Sequence, residues 1–174
     1  EEYDRLYGRL LGHEQVLNEY DKIDLSLLTG TADSSWGGQE PEKALDGKDN
    51  TAWHTSYDGN CITDKKNTYT ITLAEPKNVS RLEYEPKDGE NGRILTYKLE
   101  YRTTETGDSF QPVKASRLPA WANDGSRKSV DFEAQNARRI RITALTTAGA
   151  KDNSGNGRFM SAKHLWLYAK PARQ

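Results

Sequence analysis

The sequence predicts an all-β protein, an antiparallel β-sandwich of jelly-roll type with a short N-terminal helical segment. Two observations lead to this prediction. From Ile23 onward, short runs of alternating apolar and polar residues recur, and Gly, Asn, Asp and Pro separate them. Such alternation is typical of strands with one buried and one solvated face. Several short strands with frequent turn residues favour a sandwich or a jelly roll.

Length and composition describe one domain with a polar surface. The chain has 174 residues, of which 34% are hydrophobic, and its 25 basic and 26 acidic side chains nearly balance. A net charge of −1 gives no electrostatic footprint for nucleic acid. No run approaches the roughly 18 apolar residues of a membrane span, so a membrane partner is disfavoured. No signal peptide is visible, and the start at Glu1 predicts an excised or mature piece.

The single cysteine, Cys61, excludes an internal disulfide. It has no histidine nearby in sequence, so we interpret it as a buried or idle thiol rather than a nucleophile. A lone cysteine fits a cytosolic protein or a bacterial secreted protein that folds without disulfides. It argues against the small disulfide-dense extracellular modules of animals.

The first 22 residues differ from the rest of the chain. Leucines and tyrosines recur there at near-helical spacing among charged residues, which predicts one helix or a broken pair. We interpret residues 1–22 as a helical linker or the remnant of a preceding domain, and residues 23–174 as the main domain. A boundary linker that happens to be helical is an equal alternative.

The main domain contains clearly alternating segments separated by long loops. The predicted strands cover 69–73, 79–84, 97–101, 128–132, 139–143 and 165–168. The predicted loops cover 30–41, 56–67, 86–93, 116–126 and 146–158. Loops of a sandwich collect at its two ends, where binding sites are usually built. Trp53, Trp121 and Trp166 are predicted to be core residues, whereas Trp36 is either an exposed platform or a lid on the core.

Residues 43–55, KALDGKDNTAWHT, form the stretch richest in side-chain oxygens. Asp46-Gly47 is a strong turn signal, and Asp49, Asn50 and Thr51 follow closely. A loop of this kind can hold Ca²⁺, which takes about six to eight oxygen ligands. On these residues alone, a tight turn and a metal loop are about equally supported.

Signatures of catalysis are missing from the sequence. It contains no GxSxG, HExxH, phosphate loop or GxGxxG. Glu83 and Glu85 share one strand face, which is more typical of a solvated stripe than of an acid–base pair. His13, His54 and His164 lack metal-ligand spacing. The chain is therefore predicted not to be an enzyme.

Five motifs, in order along the chain, resemble those of one family. They cover residues 43–55, 84–94, 121–132, 137–142 and 159–165. Together they resemble the discoidin-like domain, also called the coagulation factor 5/8 type C domain. The closest branch looks like the family 32 carbohydrate-binding modules of bacterial glycan-degrading enzymes. The resemblance covers about residues 23–169 and implies a discoidin-like β-sandwich.

The resemblance also implies a structural Ca²⁺ beside the first motif. The implied ligands are the carbonyls of Lys43, Lys48 and Lys163 and the side chains of Asp46 and Thr51. The family's last ligand is a glutamate, and this sequence has His164 in its place. An imidazole is a poor partner for a hard, oxygen-seeking ion. Asp49 is the residue that could supply the missing oxygen.

The implied sugar site lies on the loops at the same end of the sandwich. Its residues are His54, Lys87, Asn91, Phe159 and Tyr57. Polar groups would bind sugar hydroxyls, and the aromatic rings would pack on the apolar face of the sugar. Lys87 stands in place of the family's arginine, so it should read adjacent hydroxyls less strictly. Two alternatives remain: His54 could be tied to a backbone carbonyl, and Phe159 could belong to the core.

The function implied by the resemblance is that of a non-catalytic carbohydrate-binding module. It would hold a covalently linked, secreted or cell-surface bacterial enzyme on glycans that contain galactose-type sugars or N-acetylhexosamines. One alternative is a discoidin-type adhesion domain that binds protein or anionic lipid. Another is a small glycan-active enzyme in its own right.

Overall fold

The computed structural model describes residues 21–104 and 109–170, whose long elements are all β-strands. The strands are β1 (Asp21–Lys22), β2 (Leu28–Ala32), β3 (Trp53–His54), β4 (Thr68–Glu85), β5 (Ile94–Arg102), β6 (Gln111–Pro112), β7 (Lys128–Thr147), β8 (Ser161–Ala162) and β9 (His164–Ala169). Two short 3₁₀ helices cover Leu25–Leu27 and Pro41–Leu45. Every strand pair is antiparallel, which confirms the predicted fold class. No helix among these residues has the length and apolar character needed to cross a membrane.

The two longest strands, β4 and β7, pair along most of their length and fold over as one ribbon. Register shifts between Thr72 and Arg81 mark the fold, because bulges bend a strand. Before the bend β4 also pairs with β2, and after it β4 pairs with β9. Near one end of the ribbon, the Tyr84 hydroxyl accepts from Ile94 N at 3.1 Å, and Ile94 pairs with Thr147 at the other end. Both ends of the ribbon therefore meet at one end of the sandwich, which we call the site end.

One hydrophobic core lies between the two layers. Alternate residues of β4 are buried on both sides of the bend, as the period-two pattern predicts. Trp53 is fully buried, and its ring lies 4.9 Å from that of Tyr69. Trp121 stacks on Tyr97 at 4.0 Å, and Trp166 is also buried. The prediction that these tryptophans are buried is confirmed for all three. Trp53 and Trp121 belong to the main hydrophobic core, whereas Trp166 is buried outside it, under Lys22 and Arg127.

The described structure differs from the sequence prediction in its short strands. β1 pairs with β9 through Lys22 and Tyr168, so the sheet begins two residues before the predicted boundary at Ile23. The rest of the predicted N-terminal helix lies outside the described residues. The predicted loop 30–41 begins inside β2, because Gly30 is a strand residue there. A Cβ on Gly30 would lie 2.0 Å from the Tyr69 hydroxyl, so this glycine allows a close approach rather than a turn.

The predicted buried thiol is confirmed. Cys61 is 4% exposed and forms no disulfide. Burial raises the pKa of its thiol to about 11, so the thiolate is scarce at neutral pH. This side chain packs in the core and is a poor nucleophile.

Candidate functional site

A small two-stranded sheet at the site end brings two of the predicted sugar-binding residues together. β3 pairs with β8, and His54 lies opposite Ser161. Just before β8, Thr55 N donates to Met160 O at 3.0 Å, and Met160 N donates back to Thr55 Oγ1 at 3.1 Å. These bonds fix the distance between His54 and Phe159, which are far apart in sequence.

Four rings form an aromatic cluster at this point: Trp36, His54, Tyr57 and Phe159. The Tyr57 ring stacks on the His54 ring with a centroid distance of 4.0 Å and an interplanar angle of 14°. Phe159 lies 5.2 Å from His54 and 5.3 Å from Tyr57. Trp36 meets Tyr57 edge-on at 5.2 Å and is 41% exposed. The structure therefore makes Trp36 the exposed member of this cluster rather than a lid on the core.

His54 is fully buried in the aromatic cluster. Its Nδ1 lies 2.6 Å from the Thr55 carbonyl, and since a carbonyl only accepts, Nδ1 carries the proton. Nε2 is buried and has no partner among the described residues, so it offers a free lone pair. Burial lowers the pKa of His54 to about 4; the Thr55 carbonyl opposes this shift and the charge of Lys87 adds to it. At neutral pH the imidazole is therefore an uncharged acceptor.

Asn91 occupies the loop between β4 and β5, close to β8. Its Oδ1 accepts from Ala150 N at 2.9 Å, and its carbonyl accepts from Ser161 Oγ at 2.7 Å. A Cβ on Gly149 would lie 2.5 Å from Asn91 Cα, so this glycine allows the two loops to touch. Because Oδ1 is used within the protein, the amide NH₂ is the group of Asn91 that can serve a ligand.

Lys87 lines an open polar cleft of about 290 Å³ next to the aromatic cluster. The cleft is also lined by Gly38, Gln39, Asp49, Asn50, Thr51, Ala52, Asp88 and Lys163. The Lys87 ammonium contacts the Asp88 carbonyl at 3.3 Å. The Tyr57 hydroxyl lies 3.4 Å from Gln39 Oε1, so the cleft and the aromatic cluster share a border. All five predicted sugar-binding residues thus lie at the site end.

The predicted metal loop also converges. Thr51 Oγ1 donates to Asp46 Oδ2 at 2.6 Å and lies 3.3 Å from Lys48 O and 3.5 Å from Lys43 O. Gly47 has a φ of +72°, which lets the chain turn tightly around these oxygens. Lys163 lines the same cleft as Thr51. Three of the five predicted ligands are therefore grouped around the hydroxyl of a fourth, Thr51, and the donor atoms are all oxygens.

His164, which stands where the resemblance implies a glutamate, contacts a residue of the same loop. Its Nε2 lies 2.9 Å from Asp49 Oδ1. This hydrogen bond lowers the pKa of the Asp49 carboxyl below its usual value. Asp49, Glu85 and His164 each offer a donor atom, and these atoms lie within 4.8 Å of one another. The three residues could form a metal site.

Sequence reasoning missed Glu85 as part of this group. It interpreted Glu85 as one member of a solvated stripe with Glu83. The signal that was missing is register, because Glu85 lies directly opposite His164 in the pairing of β4 with β9. Nothing in the local sequence of either strand gives that pairing.

The comparisons with known proteins identify relatives that are much longer than this chain. The chain is 34% identical over 123 residues to a galactose oxidase of Gibberella zeae, which covers 70% of this chain and 18% of that protein. It is 32% identical over 158 residues to an A type blood N-acetyl-α-D-galactosamine deacetylase of Flavonifractor plautii, covering 88% of this chain and 19% of that protein. The chain thus spans under a fifth of the length of either relative.

A solved structure of a carbohydrate-binding module is also similar to this chain. A CBM32 module of Clostridium perfringens, solved in complex with GalNAc-β-1,3-galactose, is 25% identical and superposes with a TM-score of 0.67. The match covers 86% of this chain and all of that one. The family profile of the F5/8 type C domain matches residues 29–161. The chain belongs to the F5/8 type C domain family.

Proposed function

We propose that this domain is a non-catalytic carbohydrate-binding module for galactose-type or N-acetylhexosamine-containing glycans. It holds a larger secreted or cell-surface enzyme on those glycans. The similar CBM32 structure contains GalNAc-β-1,3-galactose, and both named relatives carry galactose or N-acetylgalactosamine in their names. Because the chain spans under a fifth of these relatives, a covalently linked catalytic domain is part of the proposal.

The observation that carries this proposal is the buried Nε2 of His54. A buried polar atom without a partner costs about 1–3 kcal/mol, and a ligand that bonds to it removes this cost. Nε2 is an acceptor surrounded by rings, and a sugar hydroxyl donating to it would satisfy it. The stacked Tyr57 ring covers the imidazole, so in the proposal Tyr57 turns aside when the sugar enters and then packs against it.

The other predicted residues supply the remaining contacts. The Lys87 ammonium and the Asn91 amide donate to hydroxyls, and Phe159 packs on the apolar face of the sugar. The cleft is open and wet, so we expect a dissociation constant of about 1 mM for a monosaccharide, roughly −4 kcal/mol. Several modules in one enzyme would raise retention through avidity.

Asn91→Asp tests the sugar site with little change to the fold. An aspartate keeps the oxygen that accepts from Ala150 N but replaces the donating NH₂ with an anionic oxygen. We expect the affinity for galactose to fall at least about tenfold, which is about 1.4 kcal/mol, while the melting temperature stays nearly unchanged. Isothermal titration with galactose measures the first quantity, and differential scanning fluorimetry measures the second.

The matched control is Asn136→Asp. Asn136 is exposed beside Asn78 at the bend of the ribbon, opposite the site end, and the change adds the same charge there. It is expected to bind galactose like the unmodified chain. Equal galactose affinity in Asn91→Asp and in the unmodified chain would show that the sugar site is wrongly placed.

We also propose that the loop around Thr51 holds a structural Ca²⁺. The oxygens grouped there fit a hard cation, and Asp46, Thr51 and the carbonyls of Lys43, Lys48 and Lys163 would hold it. A bound ion would fix the loop that leads into β3 and thus the position of His54.

Removal of this ion is expected to destabilise the domain. A ligand that binds only the folded state adds stability by mass action, so a chelator should lower the melting temperature by several degrees and calcium should restore it. The double variant Asp46→Asn, Thr51→Val should show no response to calcium. If the unmodified chain melts at the same temperature with chelator and with calcium, the loop is a turn without an ion.

A further inference from the structure

Asp49, Glu85 and His164 offer three donor atoms beside the oxygen-rich loop, and one of the three is a nitrogen. Glu85 and His164 are direct partners in the antiparallel pairing of β4 with β9, so their side chains leave the same face of the sheet. Asp49 reaches them from the loop and contacts His164 Nε2 at 2.9 Å. The three donor atoms lie within 4.8 Å of one another. Two of these atoms belong to Glu85 and His164, whose backbones are held together by the pairing of two strands.

The imidazole of His164 is held firmly in this group. It is 3% exposed, and its ring lies 4.8 Å from that of Trp166. Its Nδ1 is buried and has no partner among the described residues. Nδ1 is not the nitrogen that contacts Asp49, so Nε2 is the ring nitrogen that can share an ion with the two carboxylates. The arrangement presents Nε2 toward Asp49 in a fixed direction.

We propose that Asp49, Glu85 and His164 bind a borderline divalent cation of the zinc class rather than Ca²⁺. An imidazole nitrogen suits Zn²⁺, Co²⁺ and Ni²⁺, whereas Ca²⁺ prefers oxygens. Three protein ligands with water in the fourth position is a common zinc arrangement. Ligand distances of about 2.0–2.2 Å place the donor atoms of a tetrahedral site about 3.3–3.6 Å apart. The 2.9 Å contact of His164 with Asp49 needs only a small opening to reach this separation.

Glu85 can turn toward a metal ion because the two cations that contact it, Arg127 and Lys163, also contact other residues. Arg127 lies 3.4 Å from Glu85 Oε1, but it also lies 3.7 Å from Glu83 and over the Trp166 ring at 4.1 Å. Lys163 lies 3.9 Å from Glu85 Oε2 and closer, at 3.3 Å, to Asp88. Both cations therefore keep a contact when Glu85 rotates toward the metal. The bound ion would hold the loop of Asp49 against the point where β4 ends and β9 begins.

Cobalt titration of the metal-free chain tests this proposal. Tetrahedral Co²⁺ absorbs strongly in the visible range and serves as a spectroscopic probe for a zinc site. We expect one equivalent to give this absorption, and Zn²⁺ to abolish it by displacement. His164→Gln and Asp49→Asn are each expected to weaken cobalt binding at least about 100-fold, since each loses a direct ligand. The Asp49 side chain is 90% exposed, so its variant should keep the fold.

Glu75→Gln is the matched control, because Glu75 is an exposed carboxylate of the same strand at the bend of the ribbon, where it pairs with Lys77. It is expected to keep the cobalt spectrum. Unchanged cobalt binding in Asp49→Asn and His164→Gln, or no tetrahedral spectrum in the unmodified chain, would overturn the proposal. The calcium proposal is tested separately: Asp46→Asn, Thr51→Val should lose the response to calcium and keep the cobalt spectrum, and His164→Gln should do the reverse.

Discussion

Gly92→Ala is expected to destabilise the domain by about 3 kcal/mol and to lower its melting temperature by about 6–12 °C. Gly92 has a φ of +81°, a region that costs an L-residue about 1–2 kcal/mol. An added Cβ would also lie 2.7 Å from Met160 C and Ser161 N, which are backbone atoms and cannot rotate away. Galactose binding should weaken as well, because Gly92 follows Asn91 and accepts from Ser161 N at 3.0 Å.

Two other glycines separate the causes of this effect. Gly89 has a φ of +83° but open space around its Cβ position, so Gly89→Ala should cost only the backbone strain, about 1 kcal/mol. Gly125 has open space and no positive φ, so Gly125→Ala should change stability by less than about 0.5 kcal/mol. Urea unfolding of the three variants measures the series. A Gly92→Ala cost no larger than that of Gly89→Ala would contradict the described contact with β8.

Acidification from pH 7 to pH 5 is expected to remove about 2 kcal/mol of stability through His54 alone. The pKa of His54 is lowered from 6.5 to about 4, with burial as the largest cause. Between these values the unfolded chain binds a proton that the folded chain does not. This contribution is therefore fully present above about pH 6.5 and is lost as the pH falls toward 4.

His54→Gln isolates this contribution, because the variant keeps every other titrating group. Its unfolding free energy should fall by about 2 kcal/mol less than that of the unmodified chain between pH 7 and pH 5. Urea midpoints at a series of pH values give the comparison. Parallel stability curves for the two proteins would show that the imidazole is solvated and titrates near its ordinary pKa.

The strand pattern was readable from sequence, but its connections were not. The alternating runs 69–73 and 79–84 both lie within β4, and 128–132 and 139–143 both lie within β7. The polar residues between the runs look like turns, and they form the bend of a continuous ribbon. Bulges and cross-strand pairing decide this outcome, and both depend on residues far away in the chain.

The residue types of the candidate site could also be predicted from the sequence, but their burial and hydrogen bonding could not. The sequence singled out His54, and the structure adds that Nδ1 is bonded while Nε2 is buried without a partner. The sequence left Phe159 open as either a core residue or a sugar-binding residue. Phe159 is 5% exposed but lies outside the main hydrophobic core, so the structure matches neither alternative completely. Burial and hydrogen bonding depend on residues that the fold brings close together, so they cannot be predicted from the neighbouring sequence.

The sequence by itself determined the all-β class, the buried thiol of Cys61, the core positions of Trp53 and Trp121 and the oxygen-rich turn at Asp46-Gly47. These features depend on periodicity, residue chemistry and neighbours a few positions apart. Only the tertiary structure decided that Glu85 faces His164, that Asp49 reaches both, and that Asn91 rests against β8. Such contacts join residues that lie far apart in the chain, from 70 positions for Asn91 and Ser161 to 115 for Asp49 and His164, with Asp49 and Glu85 the nearest pair in sequence. They are set by strand register and by the folding of the β4–β7 ribbon, which brings its two ends together.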